Sequence, residues 1–444
     1  MSTDLPPLIV KKRYYDLDAL RAFAMLLGVV LHGLISFMPD DIPWPGRDIN
    51  PSVGYTYAMH AIHGFRMQLF FVVSGFFTMM MWKNRGLQGM FKHRFQRIGI
   101  PFVGFLFILY PLVIAVAIYG GIKTEGMTSK GLYQTEQATP LMLSEGAANV
   151  DSIEKEAGLE LLGPVMNQLP GWAMIITLIL CFAQSFHHLW FLYYLMWLVL
   201  MFGAAAWLAQ KLKLKQVPAW FIASPLRLLW LIPITFVPQF FMTMSFGPDT
   251  ASGFVPWPPK LLFYTVFFGF GALCFGRDEY EQKVGTWWPL SLLASIPAFI
   301  AALYWFDLRT EAYYSGMAFT SPEFLTPHIL CTLFTVTYTW LMIFGLIGLF
   351  RVCFASEDKK IRYVSDSSYW LYLMHLPLIM YLQILVSDWQ YPSIIKFAGI
   401  CITTAAILLI IYEIMVRYTW IGTMLNGKKY RQKLPPTLTT STQA

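Results

Sequence analysis

Long apolar runs separated by short polar stretches recur along nearly the whole chain, and ten of them are candidate membrane spans. They lie at roughly 17–38, 58–82, 98–120, 188–209, 220–245, 259–276, 286–306, 325–350, 364–387 and 393–418, against the requirement for about 20 apolar residues per crossing. Hydrocarbon offers no hydrogen-bonding solvent, so each crossing segment must satisfy its own backbone groups, and the runs predict helices. A membrane barrel would show short segments alternating apolar and polar residues; the chain has none of that alternation. The pattern predicts an all-α, polytopic membrane protein of about ten transmembrane helices. A shorter apolar piece at 170–186 fits an interfacial or re-entrant helix, or an eleventh span.

Lysine and arginine orient the spans, because they favour cytoplasmic loops. With the N-terminus placed inside and alternate loops assigned in turn, inside segments hold 22 of the 32 Lys and Arg residues. Outside segments hold five (Arg47, Lys123, Lys130, Lys155 and Arg309), and five more (Arg21, Arg66, Arg227, Lys260 and Lys396) fall within spans or at their edges. Omitting or adding a span in mid-chain would destroy that asymmetry. Both termini are therefore predicted to be cytoplasmic: residues 1–16 as a leading segment, 17–418 as the transmembrane domain, and 419–444 as a disordered tail ending LPPTLTTSTQA. The N-terminus lacks the apolar core and small-residue cleavage site of a signal peptide, so the first span is expected to act as an uncleaved anchor. The long outer loop at about 121–169 is acidic (Glu125, Glu136, Glu145, Asp151, Glu154, Glu156, Glu160). It reads as a solvated loop or as a cap over an acceptor cleft.

Composition agrees with this picture. Hydrophobic residues make up 57% of the chain, charged residues 13%, and the mean hydropathy is +0.53; soluble chains carry about 25% charged residues. The net charge of +7 follows from the cytoplasmic loops and calls for no nucleic-acid partner; the lipid bilayer is the partner it implies. Five scattered cysteines form no CxxC pair and no metal-ligand spacing, so neither a disulfide framework nor a zinc site is expected.

Titratable side chains within spans are costly and so mark candidate functional sites. Arg21 and His32 share the first span, 11 residues apart. That is three turns plus about 20°, which keeps them on one face, about 16 Å apart along the axis. The plain alternative is an arginine snorkelling to the inner interface and a packed histidine. His60, His63 and Arg66 follow at i, i+3 and i+6 at the outer end of the second span, and His187 and His188 open the fourth. His375 lies in mid-span. Neutral imidazole accepts a proton near neutral pH, as activation of a hydroxyl requires. On the inner side, Arg94 and Arg97 sit in KHRFQR, spaced to clamp phosphates or simply to mark a positive loop.

Several segments, in order, resemble the integral-membrane acyltransferase family 3. YYDLDALRAFAMLLGVVLHGLISF is similar to that family's opening helix, with Arg21 and His32 matching its arginine and histidine; LFFVVSGFF, HRFQR and SDSSYWLYLMHLPLI resemble later motifs. FRMQLFFVVSGFF, HHLWFLYYL and YEIMVRYTWIGTMLNG most resemble a glucan-biosynthesis branch associated with succinylation of periplasmic glucans. The resemblance implies an acyl-CoA co-substrate and a periplasmic or cell-surface glycan acceptor at the cell (inner) membrane; no metal is expected, because no carboxylate or cysteine partners the clustered histidines at ligand spacing. It implies His32 as general base with Arg21 beside the donor path, Arg94 and Arg97 on the coenzyme phosphates, and His63, Arg66, His187, His188 and His375 around the substrates. One departure is that HHLWFLYYLMWLVL carries no acidic residue, leaving Glu413, Asp16, Asp18 and Asp366 as candidates to orient a histidine. Two rival classes remain: a secondary transporter of an acidic or acylated glycan, with the intramembrane arginines and histidines as substrate or proton sites, and a non-catalytic sensor or scaffold, which leaves the one-face Arg21 and His32 pair unexplained.

Overall fold

A computed structural model describes residues 13–129 and 186–427, apart from 41, 43, 216, 219, 243, 244, 250–254, 278, 279, 281 and 282. Most of the acidic loop and the apolar piece at 170–186, Phe186 excepted, lie outside the described residues, as do the chain's two ends. Within them the chain is helical, with no strand. The principal helices are α1 (Tyr15–Ile35), α2 (Val53–His63), α3 (Arg66–Arg94), α4 (Ile100–Ser129), α5 (Trp190–Lys211), α6 (Leu228–Phe240), α7 (Pro258–Cys274), α8 (Trp288–Tyr314), α9 (Pro322–Cys353), α10 (Lys359–Val386) and α11 (Ser393–Ile411).

Seven helical segments among the described residues are long and apolar enough to cross a membrane. One of them, Val53–Thr124, joins α2, α3 and α4, while α6 and α7 belong to shorter apolar helices, Pro225–Phe240 and Pro258–Cys274. Their outer faces confirm the solvent. Val103, Phe107, Ile114, Ile118 and Ile122 on α4, and Leu290, Leu293, Ile296 and Ile300 on α8, are exposed at helical spacing. Apolar stripes of that length are stable against lipid and not against water. This is a multi-pass membrane protein.

Helix starts follow local chemistry. Proline occupies the first turn of α7, α8 and α9, where its missing N–H has no intrahelical partner to lose. Asp358 caps α10 by accepting from the Ile361 and Lys360 N–H groups, and those bonds hold its carboxyl below the usual carboxylate range. Inside the bundle, hydroxyls turn back on their own helices, as Thr78 does to the Ser74 carbonyl (2.7 Å) and Thr335 to that of Cys331 (2.7 Å), which pairs those two protons in an apolar surround.

Two interruptions shape the site. The predicted span at 58–82 is interrupted at Gly64–Phe65, where α2 ends and, after the non-helical Phe65, α3 begins. Lower down, Gly86 adopts φ 68°, ψ 177°, a left-handed conformation that glycine tolerates without penalty. The break lets the chain fold back, so that Arg94 reaches Thr78, 16 residues before it.

Candidate active site

Helices α1 and α10 lie side by side and run in the same direction, with their functional residues paired at two levels. At the lower level Arg21 Nη2 donates to Ser365 Oγ (3.3 Å), and Ser365 Oγ donates in turn to the Asp18 carbonyl (3.1 Å). At the upper level the rings of His32 and His375 lie 5.2 Å apart. His188, from the turn that opens α5, completes a triangle, 4.8 Å from His375 and 6.3 Å from His32. Three histidines drawn from residues 32, 188 and 375 therefore share one spot inside the bundle. His375 and His188 are 1% and 7% exposed, enclosed by protein rather than turned to lipid.

Backbone carbonyls fix two of the three tautomers, because a carbonyl only accepts. His375 Nδ1 donates to the Tyr372 and Leu371 carbonyls (2.7 and 3.0 Å), which leaves Nε2 with a lone pair and no partner. His188 Nε2 donates to the Leu373 carbonyl (3.2 Å), leaving Nδ1 in the same state. Nδ1 of His32 is likewise buried and unpartnered. Orphaned imidazole nitrogens in such a cluster are what a site for a hydroxyl-bearing ligand would present. Among the described residues no group of three or more His, Cys, Asp or Glu side chains is arranged to hold a metal ion.

A fourth polar group enters from α3. A methyl at Gly28, one turn below His32, would lie 2.5 Å from Arg66 Nη1 and 3.9 Å from His375 Nε2. Only the missing side chain of Gly28 lets the guanidinium lie there. His32 and Arg66 are each partly exposed.

The cluster is roofed by the segment between α1 and α2. The Trp44 ring stacks on His32 at 6.1 Å, with planes 5° apart, and its Nε1 donates to Gln383 Oε1 (2.8 Å). Gln383 Nε2 donates to the carbonyls of His32 and Gly33 (2.9 and 3.0 Å), tying α10 to the top of α1.

The remaining residues singled out from sequence separate. His63 turns away to the Phe246 carbonyl (Nδ1 to O 2.9 Å), and His60 packs between the Phe246 and Phe306 rings. The break at Gly64 thus divides the trio that ideal helical spacing had put on one side. His187, adjacent to His188, has φ 42° and lies against Tyr110 rather than in the triangle. A left-handed φ in a non-glycine residue is strained, and strain of this kind gathers at functional positions.

Below the triangle, basic groups converge. Arg94 Nη2 donates to Thr78 Oγ1 (2.7 Å) and to the Ser74 carbonyl (3.4 Å), with its Nε buried and unpartnered. Arg21 lies over the neighbouring Phe77 ring (5.8 Å) and close enough to Arg94 for the two charges to repel. Arg97 stands nearby, its carbonyl accepting from the Tyr369 hydroxyl (2.9 Å). Two adjacent cations and an orphaned guanidinium N–H suit an anion such as phosphate.

None of the four candidate carboxylates meets His32. Asp18 pairs with Arg13 (3.0 Å) and Arg21 (3.4 Å), Asp16 faces Arg351 (3.9 Å), and Glu413 holds Arg417 (2.7 Å). Asp366 lies with Asn426 and Tyr412 near the end of the described chain. Sequence reasoning missed Gly28, Trp44 and Gln383. Gly28 alone left a signal, standing four residues before His32 and seven after Arg21 on the same face.

A family model described as an acyltransferase domain matches residues 14–413. Curated proteins named glucans biosynthesis protein C from Salmonella agona (strain SL483), Salmonella paratyphi A (strain ATCC 9150 / SARB42) and Salmonella heidelberg (strain SL476) are each 25% identical to this chain. Each alignment runs over 430 residues and covers 94% of this chain and 95% of the relative. No solved structure matches the chain.

Proposed function

Because the chain belongs to the integral-membrane acyltransferase family 3, we propose that it carries a succinyl or acetyl group from cytoplasmic acyl-CoA to a hydroxyl of an extracytoplasmic glycan, with His32 as general base. The observation that carries the reading is the two-level pairing of α1 with α10: Arg21 with Ser365 below and His32 with His375 above. It sets a cationic entrance and a proton acceptor about 16 Å apart, within reach of a pantetheine arm. The charge asymmetry of the loops supports ten crossings with both termini inside; in that topology the cationic end faces the cytoplasm and the protein belongs to the inner membrane.

In this mechanism Arg94 and Arg97 hold the coenzyme phosphates, and the thioester rises past Arg21 to the triangle. The acceptor hydroxyl enters from the Trp44 side. Its proton passes to His32 as its oxygen bonds to the thioester carbon; the carbon–sulfur bond then breaks, and the leaving thiolate takes the proton back from the imidazolium. His375 Nε2 and His188 Nδ1, which offer only lone pairs, orient the hydroxyl by accepting from sugar O–H groups. His63 and His187 stand further out on the acceptor's approach. Names of relatives that refer to glucan biosynthesis support a glucan as the first acceptor to try. Mass spectrometry of envelope glycans from cells with and without the gene tests the reading. An acyl ester present only when the protein is made supports it; identical glycans in both refute it.

A further inference from the structure

Arg66 is a cation in the interior of the bundle with no counter-ion among the described residues. Among the described residues it makes no ion pair and no hydrogen bond, and its Nε is buried without a partner. The titratable groups near it are the Tyr372 and Tyr264 phenols and the His63, His32 and His375 imidazoles, with no carboxylate among them. Its neighbours at the triangle are imidazoles that offer lone pairs but no charge. An arginine cannot escape by losing its proton, and a buried unpaired charge is among the costliest groups a protein can hold. Such a site calls for an anion brought by the ligand.

The position of the head group indicates which part of the ligand carries that anion. Arg66 Nη1 lies against Gly28, four residues below His32 and therefore about 6 Å nearer the Arg21 end. That is the side from which the donor arrives under the reading above, on which this inference rests; the acceptor comes from the other. Starting at a thioester carbon beside His32, three carbon–carbon bonds of about 1.5 Å carry the far end of a short diacid to the guanidinium.

We propose that Arg66 selects the acyl group by pairing with a carboxylate at its distal end, so that the preferred donor is a half-thioester of a short dicarboxylic acid. The carboxylate keeps its charge throughout; only the ester-forming carbon exchanges sulfur for oxygen. A neutral acyl group such as acetyl leaves the guanidinium unpaired and is the poorer substrate. The fork of the guanidinium matches a carboxylate through two N–H donors, which a lysine ammonium does not reproduce.

The test uses full-length protein in detergent, with succinyl-CoA and acetyl-CoA as donors and free CoA as the readout. In Arg66→Gln, kcat/KM for succinyl-CoA falls roughly 100-fold, mainly through KM, and the wild type's preference for succinyl-CoA over acetyl-CoA is lost. A non-hydrolysable succinyl thioether of CoA raises the Tm of the wild type and not of the variant, whereas the acetyl analogue shifts both alike; this arm does not depend on turnover. Equal loss of kcat with both donors would assign Arg66 to the reacting oxyanion and overturn the proposal. So would a loss that follows a carboxylate on the acceptor glycan, or a wild type with no preference between the analogues. If the wild type binds the succinyl analogue through Arg66 yet releases no CoA from either donor, the acyl-transfer reading fails while the carboxylate site stands.

Discussion

His32 and His375, 343 residues apart in the chain, bring their rings within 5.2 Å in the interior of a membrane protein. The contact depends on α1 and α10 running parallel and in register, which the Arg21–Ser365 bond at one end and the Gln383 bonds to the His32 and Gly33 carbonyls at the other both maintain. Because its Nδ1–H is given to backbone carbonyls, His375 is held in the tautomer whose Nε2 lone pair faces the cluster. That distinction has measurable consequences.

Replacing His375 by Phe keeps a ring of similar breadth and removes the lone pair. Turnover is expected to fall by about 10- to 100-fold, as loss of substrate positioning does, with donor KM and Tm little changed. A large rise in donor KM with unchanged kcat would instead place His375 on the donor path.

Gly28→Ala separates stability from activity. Alanine favours a helix over glycine by about 1 kcal/mol, but the new methyl would lie 2.5 Å from Arg66 Nη1. The arginine head must shift, so the expected variant unfolds no earlier than the wild type and turns over at least about tenfold more slowly. Thermal unfolding and CoA release measured on the same preparation check both halves of the expectation.

Arg94→Ala removes the cation anchored on Thr78 and Ser74. Donor KM should rise by about tenfold or more, with kcat for bound donor largely retained, consistent with a lost charge-assisted phosphate contact of about 1.5–3 kcal/mol. Arg97→Ala should act in the same direction. An unchanged KM in both variants removes the phosphate assignment.

On the same side of the bundle as the triangle's roof, the Asp48 carboxylate and the Lys396 ammonium meet at 2.5 Å with side chains 1% and 2% exposed. Burial pushes the Asp48 carboxyl up from its usual range, against the pull of Lys396. Asp48→Ala strands the lysine and is expected to destabilise the protein by about 3–5 kcal/mol, whereas an Asp48→Leu, Lys396→Met pair recovers most of the loss. Unfolding of the two variants in one detergent, compared with the wild type, decides the point.

Much of the architecture was legible in the order of residues, and the reasons are physical. Hydrocarbon forces backbone groups to pair within a segment, so apolar length alone announced helices, and the 11-residue step from Arg21 to His32 announced a shared face. The breaks were harder to see. Gly64 and Gly86 look like any other glycine in the sequence, yet the helix is interrupted at the first and kinked at the second, and His63 turns to the Phe246 carbonyl while Arg66 reaches Gly28. His188 and His375 could be marked as candidates because charge is rare in spans. Their meeting with His32 depends on helix neighbours that no local pattern encodes. Trp44 gave no warning, being one aromatic residue among the prolines of an outer segment.

The most direct test of the account is turnover by His32→Gln. Full-length wild-type and variant proteins, purified in the same detergent, receive succinyl-CoA and a free glucan, and both released CoA and new ester are counted. The expected result is a loss of at least about 100-fold in the variant at unchanged abundance and Tm. Wild-type rates from the variant would contradict the account.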